Sequence, residues 1–226
     1  MVRENILKIR STLPEGVTLV AVSKYHPAEM IREAYDAGQR VFGESREQEL
    51  RQKVEVLPAD IEWHFIGHLQ TNKVKYIAPY VSLIHSVDTD RLVDEIERQA
   101  VRCSRTIDVL LQLHVAQEES KSGFLPDELL ALLDNTDIAA RWPHVRMRGL
   151  MGMASFVDDQ EQWRKEFGII TATYHRLLDG PLARHGITRD QFSVLSFGMS
   201  EDYPVAIEEG SNMVRVGTAI FGERNY

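Results

Sequence analysis

A lysine stands at the end of an apolar, β-branched run near the start of the chain, in the segment "GVTLVAVSKYHP". The run, residues 17–22, predicts a strand buried on both faces, as in parallel sheets. An amine between apolar walls loses its proton more readily, because desolvation disfavours its charged form. A neutral amine forms Schiff bases with carbonyl compounds. Lys24 is therefore a candidate nucleophile, and an ordinary solvated lysine at the end of a strand is the open alternative.

Two glycine-containing segments near the end of the chain predict a phosphate site. "SFGMSED" places Ser200 before a short helix, and "VGTAIFG" places Gly217 and Thr218 before a short turn. Backbone N–H groups and the positive end of a helix attract an anion, and glycine lets the backbone approach it closely. The alternative is that these glycines serve only tight turns. A phosphate site facing Lys24 suggests pyridoxal 5′-phosphate, whose aldehyde would bond the lysine.

The elements that must position these residues alternate along the whole chain. The predicted strands are residues 17–23, 39–44, 61–67, 81–88, 106–116, 145–154, 192–198 and 212–217, and helix-like segments follow nearly all of them, at 27–37, 45–56, 69–78, 89–102, from about 126, at about 158–179 and at 201–209. Residues 2–12 predict an extra N-terminal helix. Eight βα units in a chain of 226 residues predict one domain, residues 1–226, folded as a single (β/α)8 TIM-type barrel.

A barrel of this kind places its active site at the C-terminal ends of its strands. Lys24 and the two glycine-containing segments follow the first, seventh and eighth predicted strands, so they should converge there. A doubly wound open sheet is the alternative fold, and it normally carries a glycine-rich phosphate loop after its first strand. The loop here reads "SKYHPAE" and contains no glycine, which disfavours that alternative.

The composition indicates which binding partners and which cellular compartment to expect. The net charge of −8 disfavours nucleic acid as a partner. The basic segment "RWPHVRMR", residues 141–148, could hold one small anion or could be a solvated turn. The single Cys103 precludes an internal disulfide and suits a reducing cytosol. No signal-peptide pattern or apolar span of about 18 residues is present, so we expect a cytoplasmic protein without a membrane segment.

Several motifs resemble those of the pyridoxal phosphate homeostasis proteins. They read "AVSKYHP", "FGES", "EWHFIGHLQTNK", "HSVD", "ESKSG", "RGLMGM", "LSFGMSEDY" and "AIEEGSNMVRVGTAIFGER", in the family's order, over residues 20–224. The segments "FIGHLQTNK" and "MVRVGTAIFG" are the most specific. The resemblance implies a barrel similar to the N-terminal domain of alanine racemase. It also implies a carrier or regulator of the intracellular supply of pyridoxal 5′-phosphate, with no established turnover reaction and therefore no catalytic residue.

The resemblance carries over to individual residues. It implies a Schiff base on Lys24, phosphate contacts from Ser200, Gly217 and Thr218, a contact of Arg215 with the pyridine nitrogen, and a pocket lined by Met151. One position departs from the family pattern, because the chain has "FGES" where "FGEN" is usual. We expect Ser45 to lie near the cofactor and to reach it through water, since its side chain is shorter. We expect no metal site, because "HFIGH" lacks the H-E-x-x-H pattern.

The alternative function is that of a racemase-like enzyme acting on an amino acid. An arginine at the pyridine nitrogen stays protonated and leaves the ring a poorer electron sink than a carboxylate partner does. A racemase also needs a second acid–base group opposite its lysine. Alanine racemases take that group from a second, mostly β domain, which is not expected here because the chain ends nine residues after Gly217. His64, His85 or His114 could substitute, although a histidine at a strand end more often only forms hydrogen bonds.

The expected partners are pyridoxal 5′-phosphate and, as acceptors, apo forms of enzymes that depend on it. We expect the protein to act as a monomer. Lys121, in "ESKSG", could contact an incoming anion or could be a solvated loop residue.

Overall fold

The computed structural model describes residues 1–118 and 122–223 and contains a closed barrel of eight parallel strands. The strands are β1 Thr18–Val22, β2 Val41–Glu44, β3 Glu62–Phe65, β4 Leu83–Val87, β5 Ile107–Gln112, β6 Val145–Met151, β7 Val194–Ser196 and β8 Met213–Val216. They follow one another around the barrel in chain order, and β8 closes it against β1. The structure thus confirms the predicted (β/α)8 fold.

Helices cover the outside of the barrel. They are α1 Val2–Thr12, α2 Ala28–Asp36, α3 Glu47–Val56, α4 Val74–Ile77, α5 Asp90–Arg102, α6 Pro126–Asp134, α7 Ile138–Arg141, α8 Gln160–Asp179, α9 Pro181–Arg184, α10 Tyr203–Glu208 and α11 Thr218–Phe221, with a 3-10 turn at Thr71–Lys73 before α4. The predicted N-terminal helix is confirmed and packs against α2 and α11. Among the described helices, none combines the length and the apolar character that crossing a bilayer requires.

The apolar core lies in two places. The larger part fills the space between the outer faces of the strands and the helices, which is why the strands read as continuous apolar runs. A smaller cluster lies inside the barrel and consists of Val20, Leu83, Leu110, Met151 and Met213. This inner cluster supports the C-terminal ends of the strands, where the candidate residues lie.

Three predicted elements differ from the structure in length or in type. The predicted helix 69–78 is a 3-10 turn followed by the single turn of α4. The predicted strand 106–116 ends at Gln112, and beyond it the chain makes an isolated bridge between Leu113 and Phe124 and one bond from the Leu113 N–H to the Met151 carbonyl oxygen. The turn expected after the last strand is a short helix, α11. At the end of β5 the apolar pattern continues past the last residue of the strand, Gln112, so burial alone overstates the length of that strand.

Candidate functional site

Lys24 follows β1 at the C-terminal mouth of the barrel and is half-buried. Strand β1 pairs with β8, with Val20 opposite Arg215 and Ala21 opposite Val216. A Cβ atom placed on Gly217 would lie 3.3 Å from the carbonyl oxygen of Val22. The two chain segments therefore run side by side as they leave the barrel. The structure brings the candidate lysine and the segment "VGTAIFG" to the same part of the mouth.

The backbone on both sides of Lys24 is fixed by side chains of α3. The Lys53 ammonium donates to the carbonyl oxygen of Ser23 at 2.9 Å. The Tyr25 N–H donates to the Glu49 carboxylate at 2.7 Å, and Lys53 pairs with the same carboxylate at 3.2 Å. Tyr25 has a φ of 66°, a left-handed conformation that non-glycine residues rarely adopt. These contacts hold the chain in a sharp turn, so Lys24 stands on a rigid support.

A buried carboxylate completes this support. Glu44, at the end of β2, is fully buried, and one oxygen accepts from Lys53 at 2.7 Å and from the Ser23 hydroxyl at 2.6 Å. Its other oxygen has no partner among the described residues. Burial raises the pKa of Glu44 to about 7, while the Lys53 charge opposes that rise. We call Ser23, Glu44, Glu49 and Lys53 the lysine-support cluster.

A cavity of about 760 Å³ opens at the mouth beside the loops after β6, β7 and β8. The hydroxyl and the backbone N–H of Ser200 and of Thr218 face no acceptor among the described residues, and both residues line the cavity. The Met199 N–H is committed, because it donates to Asp202 at 2.5 Å. Four uncommitted donors on the wall of one cavity suit an anion with several acceptor oxygens, such as a phosphate.

Arg215, on β8, is buried two positions before Gly217 and does not itself line this cavity. Its guanidinium donates to the carbonyl oxygen and the hydroxyl of Ser196 at 2.7 Å and 2.8 Å, and to the carbonyl oxygen of Gly152 at 3.0 Å. A guanidinium carries five N–H groups, so two remain without an acceptor among the described residues. Burial lowers the pKa of Arg215 to about 10, and the Asp202 charge opposes that shift. Arg215 is therefore a cation at neutral pH, with donor capacity left for a ligand.

The histidines at the strand ends have structural partners. His64 and His85 are buried inside the barrel and joined by a hydrogen bond of 2.9 Å between the Nδ1 of His64 and the Nε2 of His85. Burial lowers the pKa of His64 to about 3 and lowers the pKa of His85 well below its usual value. Both rings are neutral at pH 7. The Nε2 of His114 lies 3.0 Å from the carbonyl oxygen of Ala116.

Two further predicted residues lie at the mouth and in the barrel interior. Ser45 follows β2, is half-buried, and its hydroxyl makes no hydrogen bond among the described residues. A Cβ atom on Gly67 would lie 2.5 Å from the Ser45 carbonyl oxygen, so a glycine is needed there for the two loops to approach. Met151 is buried in the inner cluster with Val20 and Met213 and does not line the large cavity.

The basic segment 141–148 is neutralised by acids of neighbouring elements. Arg141 pairs with Asp90 and Asp94, and Arg146 pairs with Asp108. This pairing favours the solvated-turn interpretation over an anion site. Lys121 lies outside the described residues.

Sequence reasoning missed the residues that support the site. The sequence pattern places Glu44 at the end of one predicted strand, Lys53 in a predicted helix and Ser196 near the end of another strand, and it does not indicate the contacts that they make. The sequence does contain a weak indication of one such contact. Glu44 ends a predicted strand that is rich in apolar residues, and a residue of opposite charge, Lys53, follows nine positions later in the next predicted helix. Charges at such positions are rarely buried unless they are paired, which could have indicated an ion pair.

Relatives of known sequence match almost the whole chain. The family model described as "Alanine racemase, N-terminal domain" matches residues 1–225. The "Pyridoxal phosphate homeostasis protein" of Aquifex aeolicus is 42% identical over 209 residues, which are 92% of this chain and 87% of that protein. The protein of the same name from Haemophilus influenzae is 37% identical over 213 residues, which are 93% of this chain and 86% of that one.

Solved structures match the fold. PipY of Synechococcus elongatus, solved without PLP, superposes with a TM-score of 0.88 and 36% identity, covering 98% of this chain and 100% of that one. The same protein with PLP bound gives a TM-score of 0.86 and 35% identity over the same shares of the two chains. Alanine racemase of Enterococcus faecalis, at 18% identity and a TM-score of 0.73, covers 98% of this chain and 57% of that one, and it shares the fold.

Proposed function

This chain belongs to the pyridoxal phosphate homeostasis proteins, and from that premise we propose that it binds pyridoxal 5′-phosphate on Lys24 and manages its supply inside the cell. In this proposal residues 1–226 act as one cofactor-binding domain, as a monomer in the cytosol. The observation that carries the proposal is that β1 and β8 leave the barrel side by side, which brings Lys24 to the same part of the mouth as Thr218, a residue of the donor-lined cavity wall.

The residues present fit this cofactor. In the proposal, Ser200, Gly217 and Thr218 hold the phosphate and Arg215 meets the pyridine nitrogen. Ser45 reaches the cofactor through water, and Met151 closes the pocket from the barrel interior. The cofactor supplies an aldehyde that exchanges reversibly between amines. Lys24 contributes the amine, and its Nζ adds to the aldehyde carbon with loss of one water molecule. The reverse step with water or another amine releases the cofactor, as a carrier requires.

Two features favour a role in managing the supply of the cofactor over a role as an enzyme with steady catalytic turnover. Arg215 stays cationic, and an arginine at the pyridine nitrogen leaves the ring a weaker electron sink than a carboxylate does. A racemase needs an acid–base group with a pKa near the working pH. His64 and His85 do not meet that need, because burial keeps both neutral and each is engaged in a hydrogen bond.

Transfer of the cofactor tests the proposed function. The loaded protein is mixed with the apo form of an enzyme that depends on pyridoxal 5′-phosphate, and the recovery of that enzyme's activity is followed. We expect full recovery from the wild type and an altered rate from Lys24→Ala. Free pyridoxal 5′-phosphate at the same total concentration is the reference.

Exchange of the α-proton tests the racemase alternative in the same preparation. The loaded protein is incubated with L-amino acids in deuterium oxide, and α-deuterium and D-isomers are measured. We expect exchange no faster than free pyridoxal 5′-phosphate achieves. Exchange on one amino acid at about 1–10³ per second, the range typical of enzymes, would establish a racemase-like activity and contradict the carrier proposal.

Removing one phosphate donor should weaken cofactor binding without unfolding the barrel. Thr218→Ala and Ser200→Ala each remove a hydroxyl from the cavity wall, and a hydrogen bond to a charged group contributes about 1.5–3 kcal/mol. Each change should therefore weaken binding roughly tenfold or more, measured by titration of the cofactor-free protein. Thr106→Ala, at an exposed residue before β5, is the matched control. Unchanged affinity in both cavity variants would place the phosphate elsewhere or on backbone N–H groups alone.

A further inference from the structure

A continuous chain of hydrogen bonds crosses the barrel interior beneath the proposed site. It runs from Arg215 to the Ser196 hydroxyl at 2.8 Å, from that hydroxyl to the Nδ1 of His85 at 3.1 Å, and from the Nε2 of His85 to the Nδ1 of His64 at 2.9 Å. Strands β8, β7, β4 and β3 contribute one member each. All four side chains are buried, His85 and Ser196 completely. The chain therefore links four strands in a region without bulk water.

Arg215, the first residue of this hydrogen-bond chain, determines which group donates in each of its hydrogen bonds. A guanidinium only donates, so the Ser196 oxygen accepts from Arg215. Among the described residues, the Nδ1 of His85 is the remaining partner for the Ser196 proton, and a buried hydroxyl left without an acceptor is costly. Ser196 thus donates to His85. The Nε2 of His85 then carries its proton and donates to the Nδ1 of His64, so both rings are Nε2–H tautomers.

This direction explains how a buried cation is tolerated. Within the described part of the chain, the guanidinium of Arg215 bonds only to Ser196 and Gly152 and pairs with no carboxylate, and the Asp202 charge acts on it without a direct contact. An isolated buried charge is expensive unless dipoles compensate it. Each group of the chain turns its negative end toward Arg215, so the hydroxyl and the two imidazoles stabilise the cation in place of a counter-ion. The titratable groups that face this region are His64, His85, Arg215 and Asp202.

We infer that Ser196, His85 and His64 are positioning residues that hold Arg215 as a cation without a carboxylate partner, with its remaining N–H groups directed at the ring nitrogen of the bound cofactor. The inference rests on the proposed function for the identity of that ring. It goes further by assigning a role to three residues that are placed too deep to touch the cofactor themselves. Their role is to keep the ring nitrogen free of a proton.

The proposed donor and acceptor in each of these hydrogen bonds can be tested without any cofactor. Long-range proton–nitrogen NMR spectra of the full, cofactor-free chain distinguish the two neutral tautomers of each histidine. We expect Nε2–H tautomers at His64 and His85, unchanged at pH 6. An Nδ1–H tautomer at His85 would overturn the inference and leave the proposed function intact. Exposed His144, which pairs with Glu97, provides the signal of a surface histidine as a reference in the same spectrum.

Variants of His85 test the consequence for the cofactor. His85→Leu breaks the chain, whereas His85→Gln keeps one acceptor and one donor in similar places. We expect pyridoxal 5′-phosphate to bind about tenfold more weakly to His85→Leu, and the absorbance of the bound cofactor to gain a protonation step with pH. His85→Gln should restore both properties substantially.

Ser196→Ala serves as the second test where His85→Leu does not fold, because it removes only one hydroxyl. Wild-type affinity and an unaltered pH profile in either folded variant would overturn the inference. Failure of the wild type itself to bind pyridoxal 5′-phosphate would instead overturn the proposed function, and the NMR result would still stand on its own. The two failures are therefore distinguishable.

Discussion

Replacing Lys24 by alanine should abolish covalent attachment of pyridoxal 5′-phosphate. The wild-type protein should be yellow, and borohydride reduction should fix the cofactor on the peptide that contains Lys24. The alanine variant has no amine at this point of the mouth, so reduction should leave no cofactor on the protein. Ser200, Thr218 and Arg215 remain in the variant, so reversible binding through the phosphate should persist. Absorbance before reduction and peptide mapping after it measure the two effects separately.

The control for this experiment is a lysine of the neighbouring loop. Lys73 pairs with Glu47 and should tolerate replacement by alanine with the covalent attachment unchanged. Lys24→Ala should unfold thermally close to the wild type, because the Lys24 side chain does not belong to the apolar core, whereas Lys73→Ala should lower the midpoint, because it removes the partner of the buried Glu47. A cofactor found on Lys73, Lys75 or Lys121 in the wild type would contradict the assignment of Lys24. Cofactor that remains covalently attached to the Lys24→Ala variant would also contradict the assignment.

The fold could be predicted from the sequence because each strand carries its own signal. An apolar run such as residues 17–22 predicts a strand buried on both faces, and eight repeats of strand and helix leave few alternatives to a closed barrel. The ends of elements were less certain. Leu113, Val115 and Ala116 continue the apolar pattern beyond the end of β5 at Gln112, and a pattern of burial cannot show where pairing stops.

The residues at the mouth were accessible to the same reasoning because the fold fixes which strand ends meet. The support beneath them was not. Lys53 reaches Ser23 and Glu44 from a different element, and His85 meets Ser196 from 111 positions away in the chain. Such pairs depend on the register and twist of the closed barrel, which no local pattern encodes. A single sequence therefore predicts which groups face a ligand more readily than which groups hold them in place.

The second large effect expected is a loss of folding stability when Lys53, a member of the lysine-support cluster, is replaced by methionine. Methionine fills the space of the lysine stem but leaves the fully buried Glu44 without its ammonium partner. Removal of one member of a buried ion pair typically costs about 3–5 kcal/mol. For a domain of this size, each 1 kcal/mol lowers the midpoint of thermal unfolding by roughly 2–4 °C. The carbonyl oxygen of Ser23 also loses its donor, so the turn that carries Lys24 should loosen and cofactor attachment should slow.

The loss of folding stability in Lys53→Met should increase as the pH rises. The pKa of Glu44 is about 7 in the folded chain and near 4.5 when unfolded. Between those values the folded state binds more protons, so the free energy of unfolding contributed by this group falls as the pH rises. Without Lys53 the folded pKa rises further, because the attraction that opposed the effect of burial is gone. The variant should therefore be closest to the wild type near pH 5 and weakest above pH 7.

A matched pair of variants separates this mechanism from a general loss of charge. Lys165→Met, at an exposed residue of α8, removes the same charge from the surface and should leave stability nearly unchanged at every pH. The double change Lys53→Met with Glu44→Gln removes both members of the buried pair, so it should recover much of the stability. It should also lose the pH dependence that Glu44 contributes, since glutamine does not titrate. Replacing a buried ion pair by neutral groups is often nearly neutral in free energy, whereas leaving one charge behind is not. Equal stability of Lys53→Met and Lys165→Met at pH 8 would show that Glu44 does not depend on Lys53, and the turn that carries Lys24 would then need another support.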